Sequence, residues 1–230
     1  MRIAGIYLAA GQSSRMSVPK LILELAPGRP LGAIALKEMR ACESIGDISV
    51  VVRPADAGGW LAEDGAPSGH GVRIVPCGDS PRGMSHSLRA GMKDAYRYRP
   101  DAVIVALADQ PFVTKELFGR LIGEYVRHPG VDYVACQGMD AALPPVLFAP
   151  SMFGALGQLE GDTGARKLLS SVRYRGAFAE MPSNQMEFDI DTPFDLREAR
   201  QRWKGWIERG GNDDERKSGD GNASNMQAFR

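Results

Sequence analysis

The chain has 230 residues, 43% apolar and 24% charged, with a formal net charge of zero. That length suits a single α/β unit with a large core, and the neutral balance offers no polyanion-binding surface, which argues against nucleic acid as a partner. Cys42, Cys77 and Cys136 are isolated, without CxxC pairs, and no run approaches the ~20 apolar residues of a membrane helix, so a reducing cytoplasm is the expected compartment, with no membrane role.

In chain order, strands are expected at Ile3 to Ala9, Ile48 to Val52, Val72 to Val75, Ala102 to Ala108, Tyr133 to Ala135 and Val146 to Phe148. Several are apolar throughout, the pattern of strands buried on both faces. Helical spacing fills the gaps at Leu31 to Cys42, Ser85 to Arg99 and Lys115 to Arg127, and a last helix runs from Pro193 to about Arg209. Alternation of this kind predicts an α/β fold, a three-layer, doubly wound, mainly parallel sheet in a domain spanning 1–209. From Gly210 the composition turns to Gly, Asn, Asp, Lys and Ser, and 210–230 reads as a disordered polar tail.

Ligands of such sheets bind at the carboxyl ends of strands, near the point where strand order reverses. After the first strand come Leu8, Ala9, Ala10 and Gly11, then Ser13, Ser14, Arg15 and Lys20. Small residues let the backbone approach a polyphosphate, and Arg15 and Lys20 add positive charge. No GxxxxGK[ST] and no GxGxxG occurs, so a Walker-type ATPase and a nicotinamide dehydrogenase are both poor readings.

Asp109 ends the apolar run from Ala102, a natural position for a Mg²⁺ ligand completed by phosphate oxygens and water. Thr114 is the expected N-cap of the following helix, which leaves Asp109 for the metal. Asp189 and Asp191 alternate with Ile190 as on a strand, and either is a candidate to share the metal, although Asp191 and Thr192 are also cap candidates for the last helix. Gly83 precedes a hydroxyl-rich helix start holding Met84, Ser85 and Ser87, a site that attracts anions. His86 has no evident carboxylate partner and reads as an exposed helix residue.

The run Leu8 to Lys20, Leu-Ala-Ala-Gly-x-Ser-x-Arg-Met-x-x-x-Lys, resembles the signature loop of the MobA-like nucleotidyltransferases. Within that family the chain is most similar to the molybdenum cofactor cytidylyltransferases associated with xanthine dehydrogenase maturation. Gly-Met-x-x-Ser-Leu at Gly83 to Leu88, Gly-Asp-x-Gly-Ala-Arg at Gly161 to Arg166, and Asp-x-Asp-Thr-Pro-x-Asp-Leu at Asp189 to Leu196 carry the likeness onward. One departure is Ser17, where the family usually has Gly; a Ser resists positive φ.

The resemblance implies a nucleotide-diphospho-sugar transferase-like, Rossmann-like fold. It also implies transfer of CMP from CTP to the phosphate of molybdopterin, with Mg²⁺ (or Mn²⁺) as cofactor and pyrophosphate released. Leu8, Ala9, Ala10, Gly11, Arg15, Lys20, Gly83, Met84, Ser85 and Ser87 would bind the nucleotide. Arg15, Lys20 and Asp109 would be catalytic, Asp109 and Asp191 would hold the metal, and Pro145, Asp162 and Gly164 would face the acceptor. Asp162 is equally open to reading as the N-cap of the helix through Leu169. Ala10 in place of a second Gly favours CTP over GTP. A molybdenum hydroxylase or its maturation factor would receive the product. Two alternatives stand beside this one: transfer to a sugar or polyol phosphate, and a non-catalytic molybdenum cofactor delivery protein.

Overall fold

The computed structural model describes residues 1–56, 60–63, 71–139, 141–162 and 164–208. The polar tail expected at 210–230 and the end of the last helix at Arg209 lie outside the described residues. The chain runs β1 (Ile3–Ala9), β2 (Glu24–Ala26), β3 (Arg29–Pro30), α1 (Leu31–Ala41), β4 (Ile45–Val52), α2 (Trp60–Glu63), β5 (Val72–Pro76) and α3 (Met84–Ala95). It continues with β6 (Ala102–Leu107), α4 (Lys115–Arg127), β7 (Tyr133–Gln137), β8 (Ala142–Phe148), α5 (Phe153–Gly157), α6 (Arg166–Leu169), β9 (Gly176–Ala179) and α7 (Pro193–Glu208).

Seven strands form one sheet in the order β5-β4-β1-β6-β8-β7-β9, while β2 and β3 form a separate small hairpin. Every pairing in the large sheet is parallel except the two that β8 makes, with β6 and β7. The expected α/β architecture is therefore the observed one. The expected strands are all present; several are longer than their apolar runs, because pairing carries on into half-buried residues such as Ala142 and Leu143.

Helices cover both faces. On one face α1, α4 and α7 bury Met39, Phe118 and Trp203 against Ile104, Val134 and their neighbours. On the other α3 and α5 bury Leu88, Met92 and Leu156 against Ile6, Val103 and Phe148. Phe112 meets both Trp203 and Trp206 of α7, so the Trp pair is core packing. Burial on both faces is the physical reason that β1 and β6 read as unbroken apolar runs.

The start of α4 departs from its expected cap, whereas α7 uses Thr192, one of its two candidates. Thr114 flanks α4 but its side chain makes no cap bond. The buried Glu38 of α1 instead accepts the Lys115 N–H at 2.9 Å, and burial raises the pKa of that carboxyl. At α7 the cap is reciprocal: Thr192 Oγ1 accepts the Asp195 N–H at 3.2 Å, and Asp195 Oδ2 accepts the N–H groups of Thr192 and Asp191 at 2.8 and 3.0 Å. Thr192-x-x-Asp195 is thus a capping box, and the Asp191 carboxylate is not used as a cap.

Gly91 places α3 on β1. A Cβ at Gly91 would lie 2.5 Å from Ile6 Cγ2 and 3.1 Å from Val51 Cγ2, both β-branched groups within the sheet. Gly91→Ala is expected to lower stability by about 1–3 kcal/mol, the usual cost of overpacking a filled core. Denaturant unfolding monitored by circular dichroism measures it.

Candidate active site

The carboxyl ends of β1 and β6 are adjacent because the two strands pair in parallel with Leu8 opposite Leu107. The Ala108 N–H donates to the Leu8 carbonyl at 3.1 Å and extends this register past the strand ends. The loop after Ala9 and the carboxylate of Asp109 therefore share one edge, at the place where the chain's strand order reverses. Above them opens a cleft of about 440 Å³.

Leu8, Ala9, Ala10, Gly11, Arg15, Lys20, Gly83, Met84 and Ser87 line that cleft, as do Asp109 and Asp191; Ser85 is fully buried beneath the start of α3 and does not. An added Cβ at Gly11 would meet no protein atom within 4 Å. Among the described residues no contact requires a glycine there, and the backbone faces open space. Ser17 is not among the residues with positive φ; the left-handed turn of the loop falls on Ser13, at φ 52°. Ser13 Oγ accepts the Lys20 N–H at 3.1 Å, and the Ser13 carbonyl accepts from Met16 at 2.9 Å, so the loop folds back on its own hydroxyl.

Lys20 is at the centre of the site and only 7% exposed. Its ammonium donates to Asp109 Oδ2 at 2.7 Å, to the Ile190 carbonyl at 2.8 Å and to Asp191 Oδ1 at 2.9 Å. An ammonium has three hydrogens, and all three have acceptors here. Burial works against its charge, but Asp109 and Asp191 outweigh that and raise its pKa. The charge expected to reach a triphosphate thus serves, in this arrangement, to hold two carboxylates together. Arg15 is the more available cation: its side chain is 65% exposed and pairs with Asp191 Oδ2 at 2.9 Å.

Asp109 Oδ1 is buried without a hydrogen-bond partner. Among the described residues no cluster of three or more His, Cys, Asp or Glu is arranged for a metal. The donor set is two carboxylates, one with an uncommitted oxygen. It suits a hard divalent cation that takes its remaining ligands from phosphate and water. Asp189 does not sit on a strand with Asp191; the segment 188–191 carries no strand pairing. Its outer surface is exposed, yet its carboxyl is pushed up to about 6 by loss of hydration and by the charge of Asp109, against an opposing hydrogen bond from Gln110.

A second cleft of about 550 Å³ adjoins the first and shares Leu8, Met84, Leu107 and Asp162 with it. Its walls are largely apolar, including Leu88, Val105, Pro144 and Phe148, with Arg166 and Lys167 also lining it. Gly164 lines it too, whereas Pro145 is buried on the other side of β8 and Pro144 takes the lining position. Asp162 does not cap α6, which Ala165 flanks. It accepts the Met84 N–H at 3.1 Å and so caps α3. His86 is half-buried beside the Arg89 guanidinium, 3.1 Å from Nδ1, and lines neither cleft.

Sequence reasoning passes over Ser80 and Gln12. Ser80 lines the first cleft with a buried, unpartnered hydroxyl, and Gln12 donates to the Pro81 carbonyl at 2.9 Å, joining the first loop to the one before α3. Neither residue stands in a pattern; only the run of turn residues from Gly78 to Pro81 signals a loop there.

A small-residue loop after the first strand, with carboxylates at the carboxyl end of its parallel neighbour, belongs to the nucleotide-diphospho-sugar transferase-like class of α/β folds. More narrowly, the chain belongs to the MobA-like NTP transferase domain family, which matches residues 5–177. It is 30% identical over 195 residues to the purine catabolism protein PucB of Bacillus subtilis, covering 83% of this chain and 92% of that one. It is 30% identical over 132 residues to a molybdenum cofactor guanylyltransferase of Rhodobacter capsulatus, 56% of this chain and 62% of the relative. Among solved structures it is similar to Rv0371c of Mycobacterium tuberculosis, with a TM-score of 0.71, 26% identity and coverage of 87% and 97%. A further structure of Rv0371c, a complex with manganese, superposes with a TM-score of 0.68 at 25% identity over 87% and 99% of the chains.

Lys20→Met removes the one cation that bonds both Asp109 and Asp191 and leaves Arg15 on Asp191 alone. The expected loss is about 2 kcal/mol, below the ~3–5 kcal/mol of a fully buried pair because the carboxylates retain solvent contact. Asp191→Asn in the Lys20→Met background recovers part of it, and a double-mutant cycle by chemical denaturation measures the coupling.

Proposed function

We propose that the chain transfers CMP from CTP to the terminal phosphate of molybdopterin and releases pyrophosphate. The observation that carries this reading is the pair of adjoining clefts. One is lined by a small-residue loop, the cations Arg15, Lys20 and Arg82 and the carboxylates Asp109 and Asp191; the other is apolar with basic residues; and they meet at Leu8, Leu107, Met84 and Asp162. Two substrates can lie with their reacting phosphates at that boundary, which is where bimolecular transfer gains most from positioning.

In this reading the triphosphate lies along the loop from Ala9 to Arg15, and Arg15 turns from Asp191 toward the phosphates. An acceptor phosphate oxygen forms the new bond to the α-phosphorus as the bond to the β-phosphate breaks. A phosphate monoester is ionised near neutral pH, so no general base is needed. Lys20 keeps Asp109 and Asp191 in place and offsets one of their two negative charges. A divalent cation held by those two carboxylates supplies charge neutralisation of the phosphates. Ala10 lines the cleft with a methyl where a second Gly would carry none, in support of a pyrimidine over the larger purine.

The apolar second cleft supports a flat heterocycle over a polyol, whose hydroxyls would leave water for few hydrogen-bonding partners. The molybdenum cofactor relative supports the same acceptor class. A molybdenum hydroxylase or its maturation factor would then take up the product.

Pyrophosphate release with purified protein and molybdenum cofactor tests this, with CTP, GTP, UTP and ATP compared in Mg²⁺ and in Mn²⁺. The expected result is release with CTP, abolished by chelation and reduced at least about a hundredfold in Asp109→Asn, the scale of losing one transition-state electrostatic contact. Release with a small sugar or polyol phosphate and none with the cofactor would overturn the acceptor assignment. Cofactor binding without release with any nucleotide would favour a delivery protein.

A further inference from the structure

The loop between α5 and α6 is joined to the start of α3 at several points. Asp162 Oδ1 accepts the Met84 N–H at 3.1 Å, and the Gly161 carbonyl accepts the Ser85 N–H at 3.2 Å. These are the first two N–H groups of a twelve-residue helix, and neither has a partner within the helix. The approach is close enough that a Cβ at Gly83, where φ is 125°, would lie 2.5 Å from the Gly161 carbonyl oxygen. At Gly164, where φ is 52°, a Cβ would lie 2.7 Å from Met84 Sδ.

We propose that Asp162 is a positioning residue for the nucleotide, acting through the start of α3, and not a ligand of the acceptor. The inference rests on the reading that the first cleft holds the nucleoside triphosphate. Gly83, Met84 and Ser87 line that cleft, and the Asp162 cap holds the backbone that carries them. Asp162 borders both clefts, and its Oδ1 is committed to the Met84 N–H. The cations of the second cleft are Arg166 and Lys167, a few positions further along. The motif Gly161-Asp162 therefore belongs in sequence to the acceptor side and acts on the nucleotide side.

The test is calorimetric titration of CTP with Mg²⁺, in the absence of any acceptor, into wild type, Asp162→Ala and Asp162→Asn, with melting temperatures of the ligand-free proteins. Asp162→Ala is expected to weaken CTP binding about five- to tenfold, the scale of one lost helix cap expressed in binding. Asp162→Asn keeps an oxygen acceptor for the Met84 N–H and is expected to stay within about twofold of wild type. In turnover, Asp162→Ala raises the KM for CTP and leaves the acceptor KM unchanged. If Asp162→Ala binds CTP as wild type does, or if Asp162→Asn loses affinity equally, the proposal is overturned while the nucleotide site stands. If wild type binds none of CTP, GTP, UTP and ATP, the nucleotide reading falls and this proposal falls with it.

Discussion

The Lys20 ammonium bonds two carboxylates and a main-chain carbonyl, drawing together residues 20, 109, 190 and 191. Its partners lie 89 to 171 positions away along the chain, so this one charge joins the first loop, the end of β6 and the segment leading into α7. Like charges repel, and Lys20 is the cation bonded to both. So placed, it leaves Asp109 Oδ1 without a hydrogen-bond partner among the described residues. A second link of the same kind is the Ile190 N–H, which donates to the Asp109 carbonyl at 3.1 Å and fixes the backbone of the two segments.

That arrangement depends on the sheet beneath it. Parallel pairing of β1 with both β4 and β6 brings the loop after β1 beside Asp109, and glycines govern how closely α3 approaches. Gly91 seats the helix body on Ile6, while Gly83 lets its first turn dock on the Gly161 carbonyl. Together the two glycines let α3 lie close at its first turn, against the Gly161 backbone, and in its middle, against the Ile6 and Val51 side chains, and that first turn borders both clefts.

The capping box at Thr192 and Asp195 shows how local chemistry releases a functional group. Asp191 stands directly before a helix, where a carboxylate is a natural cap. Because Asp195 supplies the N–H acceptors, Asp191 is available to Lys20 and Arg15. At α4 the division of labour differs. Glu38, from a helix distant in sequence, takes the role that Thr114 holds by pattern alone.

Much of this was legible in the residues. Unbroken apolar runs signal strands buried on both faces, and the small residues and cations from Leu8 to Lys20 mark the loop that lines the first cleft. Asp109 at the end of a buried strand and Asp191 in a repeated acidic pattern were likewise readable as candidate ligands, because residue type and position along an element carry that information. What the sequence could not contain is which groups meet. Lys20 reads as a phosphate contact and bridges two carboxylates; Asp162 reads as a candidate cap of its own helix and caps α3; Pro145 yields the cleft to Pro144. Ser80 carries no motif at all, and only its burial at the cleft sets it apart. Local patterns follow from backbone periodicity and side-chain chemistry and so survive in one dimension, whereas hydrogen-bond partners are chosen by distance in space, which the packing of α3 and the register of β1 with β6 alone decide.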